Sequence, residues 1–252
     1  MNRKSREREV RKLNYEAEAE TYDEDRYGCC CRRVIDRIEW DMIQNGLKNS
    51  THVLDAGCGT GRLAIRFAKI GKKAVGLDIA KNMIKVARRK AAKAGASVEF
   101  VIGDIENMPF KKSSFDGICS SRVIFHFSSL HSIFSEFARV TREKGRVVFE
   151  NVKPSHYNAF LQFAKLIRFR TGHYSVDKSV KSVYTYATGE IKGLLQRHGF
   201  VVESMKSYTK LPKLITHLFI CKWKLTFLAP LWEKMEKFNF GAKTMFICRN
   251  NR

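Results

Sequence analysis

At Val53-Leu54-Asp55-Ala56-Gly57-Cys58-Gly59-Thr60-Gly61 an apolar run ends in three alternating glycines, and Arg62 opens a helical pattern. This junction constrains the architecture around it. A buried strand delivers the chain into a turn that suits glycine backbones, and a helix leaves it. Bare glycine amides and a helix N-terminus together form a seat for a carboxylate or a phosphate. The spacing is G-x-G-x-G, not the G-x-G-x-x-G of dinucleotide binders, which disfavours a nicotinamide-dependent dehydrogenase. Asp55 stands two residues before the first glycine, where a carboxylate can orient an ammonium group.

The same alternation continues downstream. Strands are expected at Thr51–Ala56, Lys73–Asp78, Val98–Ile102, Gly117–Ser120 and Arg146–Asn151. Helices are expected at Leu63–Ile70, Lys81–Ala94 and Leu130–Val140; in the second, Met83, Ile84, Ala87 and Ala91 share one face. Strands that alternate with helices imply a parallel, doubly wound sheet covered on both faces. Residues 1–50 read as helices around a turn-like Thr21–Asp25 and form a cover, with residues 51–252 as the main domain. Beyond residue 151 the alternation loosens: helices His156–Phe169 and Gly189–His198, then strands Phe200–Lys206 and Lys243–Arg249. Cap helices are expected at about 152–185 and 211–238, the latter an apolar and basic stretch too long for a plain connection.

Two further acids stand at strand ends. Asp78 closes the second strand, where a carboxylate can accept both hydroxyls of a ribose, and Ile79 then offers an apolar surface to an adenine. Asp104, just past the third strand, is suited to an exocyclic amine. Ligands bind such sheets at the C-terminal ends of their strands, so three acids there point to one site.

Composition narrows the class. The chain has 252 residues and is 44% hydrophobic, enough for a sizeable core and unlike a disordered chain. No apolar run approaches the ~20 residues of a membrane span, and the N-terminal residues lack a secretory apolar region, so a cytoplasmic protein is expected. The seven cysteines show no C-x-x-C pair, and the adjacent Cys29, Cys30 and Cys31 cannot chelate one tetrahedral metal; no metal site is expected. The net charge of +22 lies mainly in the last two-fifths of the chain and attracts anions such as acidic lipid, nucleic acid or phosphorylated metabolites.

Taken together, Val53–Gly61, Gly76-Leu77-Asp78-Ile79, Gly103–Phe110 and Ser114–Ser121 resemble the class I S-adenosylmethionine-dependent methyltransferases. The similarity is to the group that includes the ubiquinone/menaquinone methyltransferases, and Asn14-Tyr15 with Thr21-Tyr22-Asp23 is similar to that group's N-terminal cofactor-covering segment. The resemblance implies a Rossmann-like, mostly parallel seven-stranded sheet with an antiparallel last strand. It implies that Gly57, Cys58, Gly59 and Gly61 embrace S-adenosyl-L-methionine, with Asp55 near its methionine amine and the Ser120 backbone at its methionine end. Asp78 would hold the ribose, Ile79 and Met83 would flank the adenine, and Asp104 and Ile105 would read its edge. Tyr22 and Arg26 could close over the cofactor, their alternative being an N-terminal helix surface.

A sulfonium methyl is already electrophilic, so a base is needed only where the acceptor must lose a proton. His126 sits after the fourth strand where many relatives carry a substrate-facing histidine; packing is its alternative role. Arg122 in the same loop could meet an anionic substrate, but is expected to face solvent. The expected activity is methyl transfer to a small or lipid-like acceptor, with peripheral contact between Leu211–Phe238 and anionic membrane. An RNA methyltransferase is the second reading, supported by charge but lacking the Asn/Asp-Pro-Pro-aromatic and Pro-Cys signatures. A non-catalytic module that binds the cofactor is the third, and the intact glycines and acids argue against it.

Overall fold

A computed structural model describes residues 3–28, 30–152, 184–208 and 243–252. The N-terminal segment holds α1 (Arg3–Glu18), α2 (Tyr22–Tyr27) and α3 (Cys30–Gly46). Alternation then follows: β1 (His52–Ala56), α4 (Arg62–Lys69), β2 (Lys73–Asp78), α5 (Lys81–Lys93), β3 (Val98–Ile102) and β4 (Phe115–Ser120). After a single 3-10 turn at Ile124–His126 come α6 (His131–Val140), β5 (Thr141–Val152), α7 (Thr188–Arg197), β6 (Phe200–Tyr208) and β7 (Lys243–Asn250).

The seven strands form one sheet in the order β3-β2-β1-β4-β5-β7-β6. Neighbours from β3 to β5 pair in parallel, while β7 runs antiparallel to both β5 and β6. This is the doubly wound sheet that the strand–helix alternation implies, with the antiparallel last strand. The order reverses between β1 and β4, and a crevice opens at their C-terminal ends, where such sheets bind ligands.

Successive residues of each central strand point to opposite faces, and each face has its own core. Leu54, Phe149 and Phe246 pack with Phe134 and Phe137 of α6 and Leu195 of α7. Their neighbours Val53, Val148 and Met245 pack on the other face with Ile43 and Leu47 around α3 and Phe67 of α4. Burial on both faces explains why these strands read as near-continuous apolar runs.

Several boundaries differ from the sequence expectation, most of them by one or two residues. The expected turn at Thr21–Asp25 is largely the short helix α2, whose first turn carries Asp23, Glu24 and Asp25; acids there complement the positive helix end. Strand β4 starts at Phe115, two residues early, and β5 starts at Thr141, because these two residues pair before the register breaks ahead of Gly117 and Arg146. The chain crosses that break with Lys144 at φ 61°. The expected helix His156–Phe169 and nearly all of the two expected caps lie outside the described residues. No described helix is long and apolar enough to cross a membrane.

Candidate functional site

The glycine turn is built from the strand beside it. Gly57 and Cys58 donate their N–H groups to the Leu77 carbonyl at 2.8 and 2.9 Å, which ties the turn to β2. Gly57, Gly59 and Gly61 have φ of 81°, 51° and 79°, the left-handed region that side chains resist. A Cβ at Gly59 would meet nothing within 4 Å, so its backbone borders open space. Asp78 closes the same loop from below: its carboxylate accepts the N–H of Gly59 at 2.8 Å and of Ala80 at 2.9 Å. Burial raises its pKa, and those backbone donors oppose the rise.

A cleft opens from this turn across the strand ends. Of the residues expected from sequence, Tyr22, Gly57, Gly59, Asp78, Ile79, Met83, Asp104, Ile105 and His126 line it together. The others stand behind its wall. Asp55 is buried and accepts the Ala64 N–H at 3.1 Å, capping α4, while the Cys119 thiol lies 3.5 Å from its other oxygen. Burial pushes its pKa up to about 6, with Arg62 opposing. Cys58 packs with Ala64, Ile84 and Phe100 in a core cluster. A Cβ at Gly61 would meet Phe100 at 2.9 Å and Ala87 at 3.0 Å, so that glycine serves close packing of loop and helix. Ser120 is fully buried and donates its hydroxyl to the Ala56 carbonyl at 2.9 Å. Its neighbour Ser121 lines the cleft, with a buried hydroxyl that has no hydrogen-bond partner among the described residues.

Several contacts at the cleft carry no motif. Arg8 of α1 reaches Asp104 at 2.9 Å, while Asp104 also accepts the Glu106 N–H at 3.0 Å. Tyr15 of α1 places its hydroxyl 2.7 Å from His126 Nε2. Alternating glycines and strand-end acids are local signals; these two pairings join distant segments and leave no spacing to read. The α1 helix is seated by Glu16, whose carboxylate accepts the Lys81 and Asn82 N–H groups at 2.5 and 2.7 Å. Those are donors that the first turn of α5 leaves unpaired. Tyr22 is pushed up to about 12 by burial and by Tyr27 nearby.

Arg122 departs from its expected place in solvent. Its side chain is 15% exposed and donates to Glu39 at 2.6 and 3.1 Å. Its guanidinium also lies 4.9 Å from the Tyr27 ring centroid, as does that of Arg62. Glu39 is fully buried beside Lys243 and Tyr208, which in turn meet the buried Glu150. A guanidinium bridges this network to the cleft because a buried carboxylate needs a partner.

The cradle suits a nucleoside with an amino-acid tail. It offers exposed glycine backbone, a strand-end carboxylate, apolar walls at Ile79 and Met83, and a Ser121 hydroxyl with no partner among the described residues. The cleft thus lies at the switch point of a doubly wound sheet, where such sheets bind nucleotide-type ligands.

Residues 54–149 match the methyltransferase domain family. Malonyl-[acyl-carrier protein] O-methyltransferase of Yersinia pestis is 36% identical over 112 residues, 44% of this chain and 40% of that protein. Demethylmenaquinone methyltransferase of Symbiobacterium thermophilum is 28% identical over 179 residues, 66% of this chain and 67% of its own. The matched region thus spans less than half of the Yersinia relative. Among solved structures, magnesium protoporphyrin IX methyltransferase from Synechocystis PCC 6803, with bound SAH, superposes with a TM-score of 0.67 at 15% identity, covering 97% of this chain and 99% of that one. Residues 54–149 thus carry a methyltransferase domain of the S-adenosylmethionine-dependent kind, on the fold of the solved methyltransferase above. The family's cofactor is S-adenosyl-L-methionine, and the cleft described above fits it.

Proposed function

We propose that this chain methylates a small, lipid-like acceptor that enters the cleft beside His126. The observation that carries this reading is the composition of that end of the cleft: Tyr15, Tyr22, Val123, His126 and Phe127 wall it, and rings and aliphatic carbon favour an apolar acceptor. The relatives named above act on small molecules or on a carrier-bound acid, as their names state.

When bound, S-adenosylmethionine supplies an electrophilic methyl on sulfur, so the protein's work is chiefly alignment and exclusion of water. Asp78 would take the ribose hydroxyls while its backbone bonds hold it in place. Ile79 and Met83 would sandwich the adenine, and Asp104 with Ile105 would meet its edge. The Gly57 and Gly59 backbone would lie along the tail, with Ser121 at its polar end and the Ser120 backbone behind. Asp55, Cys58 and Gly61 would hold the turn in shape from its far side. Tyr22 and α1 would cover the cleft, and His126 would take a proton from an acceptor that has one to lose.

The test is transfer of labelled methyl from S-adenosylmethionine to lipid, small-molecule and RNA extracts. Label in the lipid or small-molecule fraction is expected. RNA belongs in the screen because a net charge of +22 also attracts nucleic acid; label there alone would replace this reading. Peripheral contact with anionic membrane through residues 211–238 is part of the proposal. Sedimentation with anionic vesicles, weakening as salt rises, is its expected signature.

A further inference from the structure

Tyr15 and His126 are 111 residues apart in sequence, yet the phenol oxygen lies 2.7 Å from Nε2 and the rings meet edge to face at 5.6 Å. Burial holds the Tyr15 hydroxyl well above the ordinary phenol range, with Tyr22 and Glu18 adding to the rise and Arg26 opposing it. Tyr15 therefore keeps its proton and can donate it to Nε2; in that arrangement a neutral imidazole carries its own proton on Nδ1. In that tautomer the Nε2 lone pair through which His126 would act as a base is engaged by Tyr15.

We propose that Tyr15 is a catalytic residue of this chain: it faces the acceptor and relays the acceptor's proton to His126. The proposal rests on the methyltransferase reading above. In the step, the acceptor's O–H or N–H bond breaks and its electron pair stays on the acceptor. The proton joins the Tyr15 oxygen, while the proton already on that oxygen passes to Nε2. The phenol is regenerated and His126 becomes an imidazolium. Neutral phenol thus serves as a conduit, and no phenolate accumulates.

Placement supports the role. Tyr15 and His126 both line the cleft, together with Tyr22, whose ring stands 6.2 Å from that of Tyr15. The adjacent Glu16 caps α5 through two backbone N–H groups, which fixes the helical turn that carries Tyr15. Among the described residues, the charged groups that line the cleft have partners of their own: Asp78 holds Gly59 and Ala80, Arg122 pairs with Glu39, and Arg8 with Asp104. The arrangement makes the N-terminal cover part of the chemistry.

The experiment has two arms, both on the full chain. Histidine-selective 15N NMR, with His126→Ala to identify the signal, reads the tautomer without cofactor or acceptor. Wild type is expected to hold the Nδ1–H form, and Tyr15→Phe, which keeps the ring packing, to move the balance toward Nε2–H. In the second arm, tritiated S-adenosylmethionine and a total lipid extract report turnover. Tyr15→Phe and His126→Ala are each expected to lose about 100-fold, and the double variant little more than either. S-adenosylhomocysteine affinity by calorimetry should stay within about twofold. An unchanged tautomer in Tyr15→Phe overturns the pairing. A changed tautomer with wild-type turnover across the pH profile overturns the relay. If wild type labels nothing in any extract, the methyltransferase reading fails, and the NMR arm still judges the pairing.

Discussion

The Asp78 carboxylate accepts the N–H of Gly59 across 2.8 Å, so the end of one strand fixes the turn that follows another. One side chain thereby shapes the glycine turn and, in the function proposed above, would also hold the ribose. Asp78→Ala should weaken S-adenosylhomocysteine binding by at least about 1.5–3 kcal/mol, the scale of a hydrogen bond to a charged group. Asp78→Asn keeps one acceptor oxygen for the Gly59 N–H and should fall between the two. Calorimetry checks the order; equal loss in both variants would show that charge, not turn geometry, dominates.

Glu39 is fully buried and holds Arg122 at the cleft wall. Glu39→Gln leaves Arg122 and Lys243 with less countercharge in a place closed to water. Breaking one partner of such a network costs on the order of 3–5 kcal/mol. Denaturant unfolding should record a loss of that scale. Arg122→Met should cost less, because Lys243 still faces Glu39 at 3.5 Å.

What the sequence disclosed follows from how local each signal is. The glycine spacing, Asp78 and Asp104 each lie within a few residues of a strand end, and strand ends show as breaks in apolar pattern. Ser120 and Ser121 are adjacent at such an end, and the alternation of a strand sends one hydroxyl into the core and its neighbour to the cleft wall. Composition cannot separate them. Arg122 looked like a solvent-facing residue because its partner Glu39 is 83 residues earlier. The Tyr15–His126 pairing spans 111 residues and is set by docking of α1 on α5. Neither leaves a periodic trace.

Asp55 gives a pH prediction with an unusual sign for a carboxylate. Burial raises its pKa from 3.8 to about 6, so between these values the folded chain binds more protons than the unfolded one. Its contribution to stability is full below about 3.8 and is lost as pH rises through about 6. Asp55→Asn should therefore be more stable than wild type at pH 7, by at most about 3 kcal/mol, provided the amide still accepts the Ala64 N–H. Denaturation midpoints at pH 4.5 and 7 check it. A variant less stable at both would mean that the helix cap outweighs the cost of the buried charge.

His198 acts in the opposite direction over an overlapping range. Its Nε2 lies 3.0 Å from Nδ1 of His131 where α6 meets α7, and burial, His131 and Arg252 lower its pKa below 6.5. The unfolded chain then binds the proton more readily, so the stability that neutral His198 contributes is present above 6.5 and lost as pH falls through the lowered value. Asp55 gains on acidification where His198 loses, and the wild-type curve hides part of each. His198→Gln should remove the acid-side loss and leave the Asp55 gain exposed, so its stability should rise relative to wild type as pH drops from 7 to 5. Adding Asp55→Asn should flatten the remaining slope. Thermal midpoints of the two single variants and the double variant at half-unit steps across that range check both signs. A His198→Gln curve parallel to wild type would show that the imidazole pair carries no linked proton.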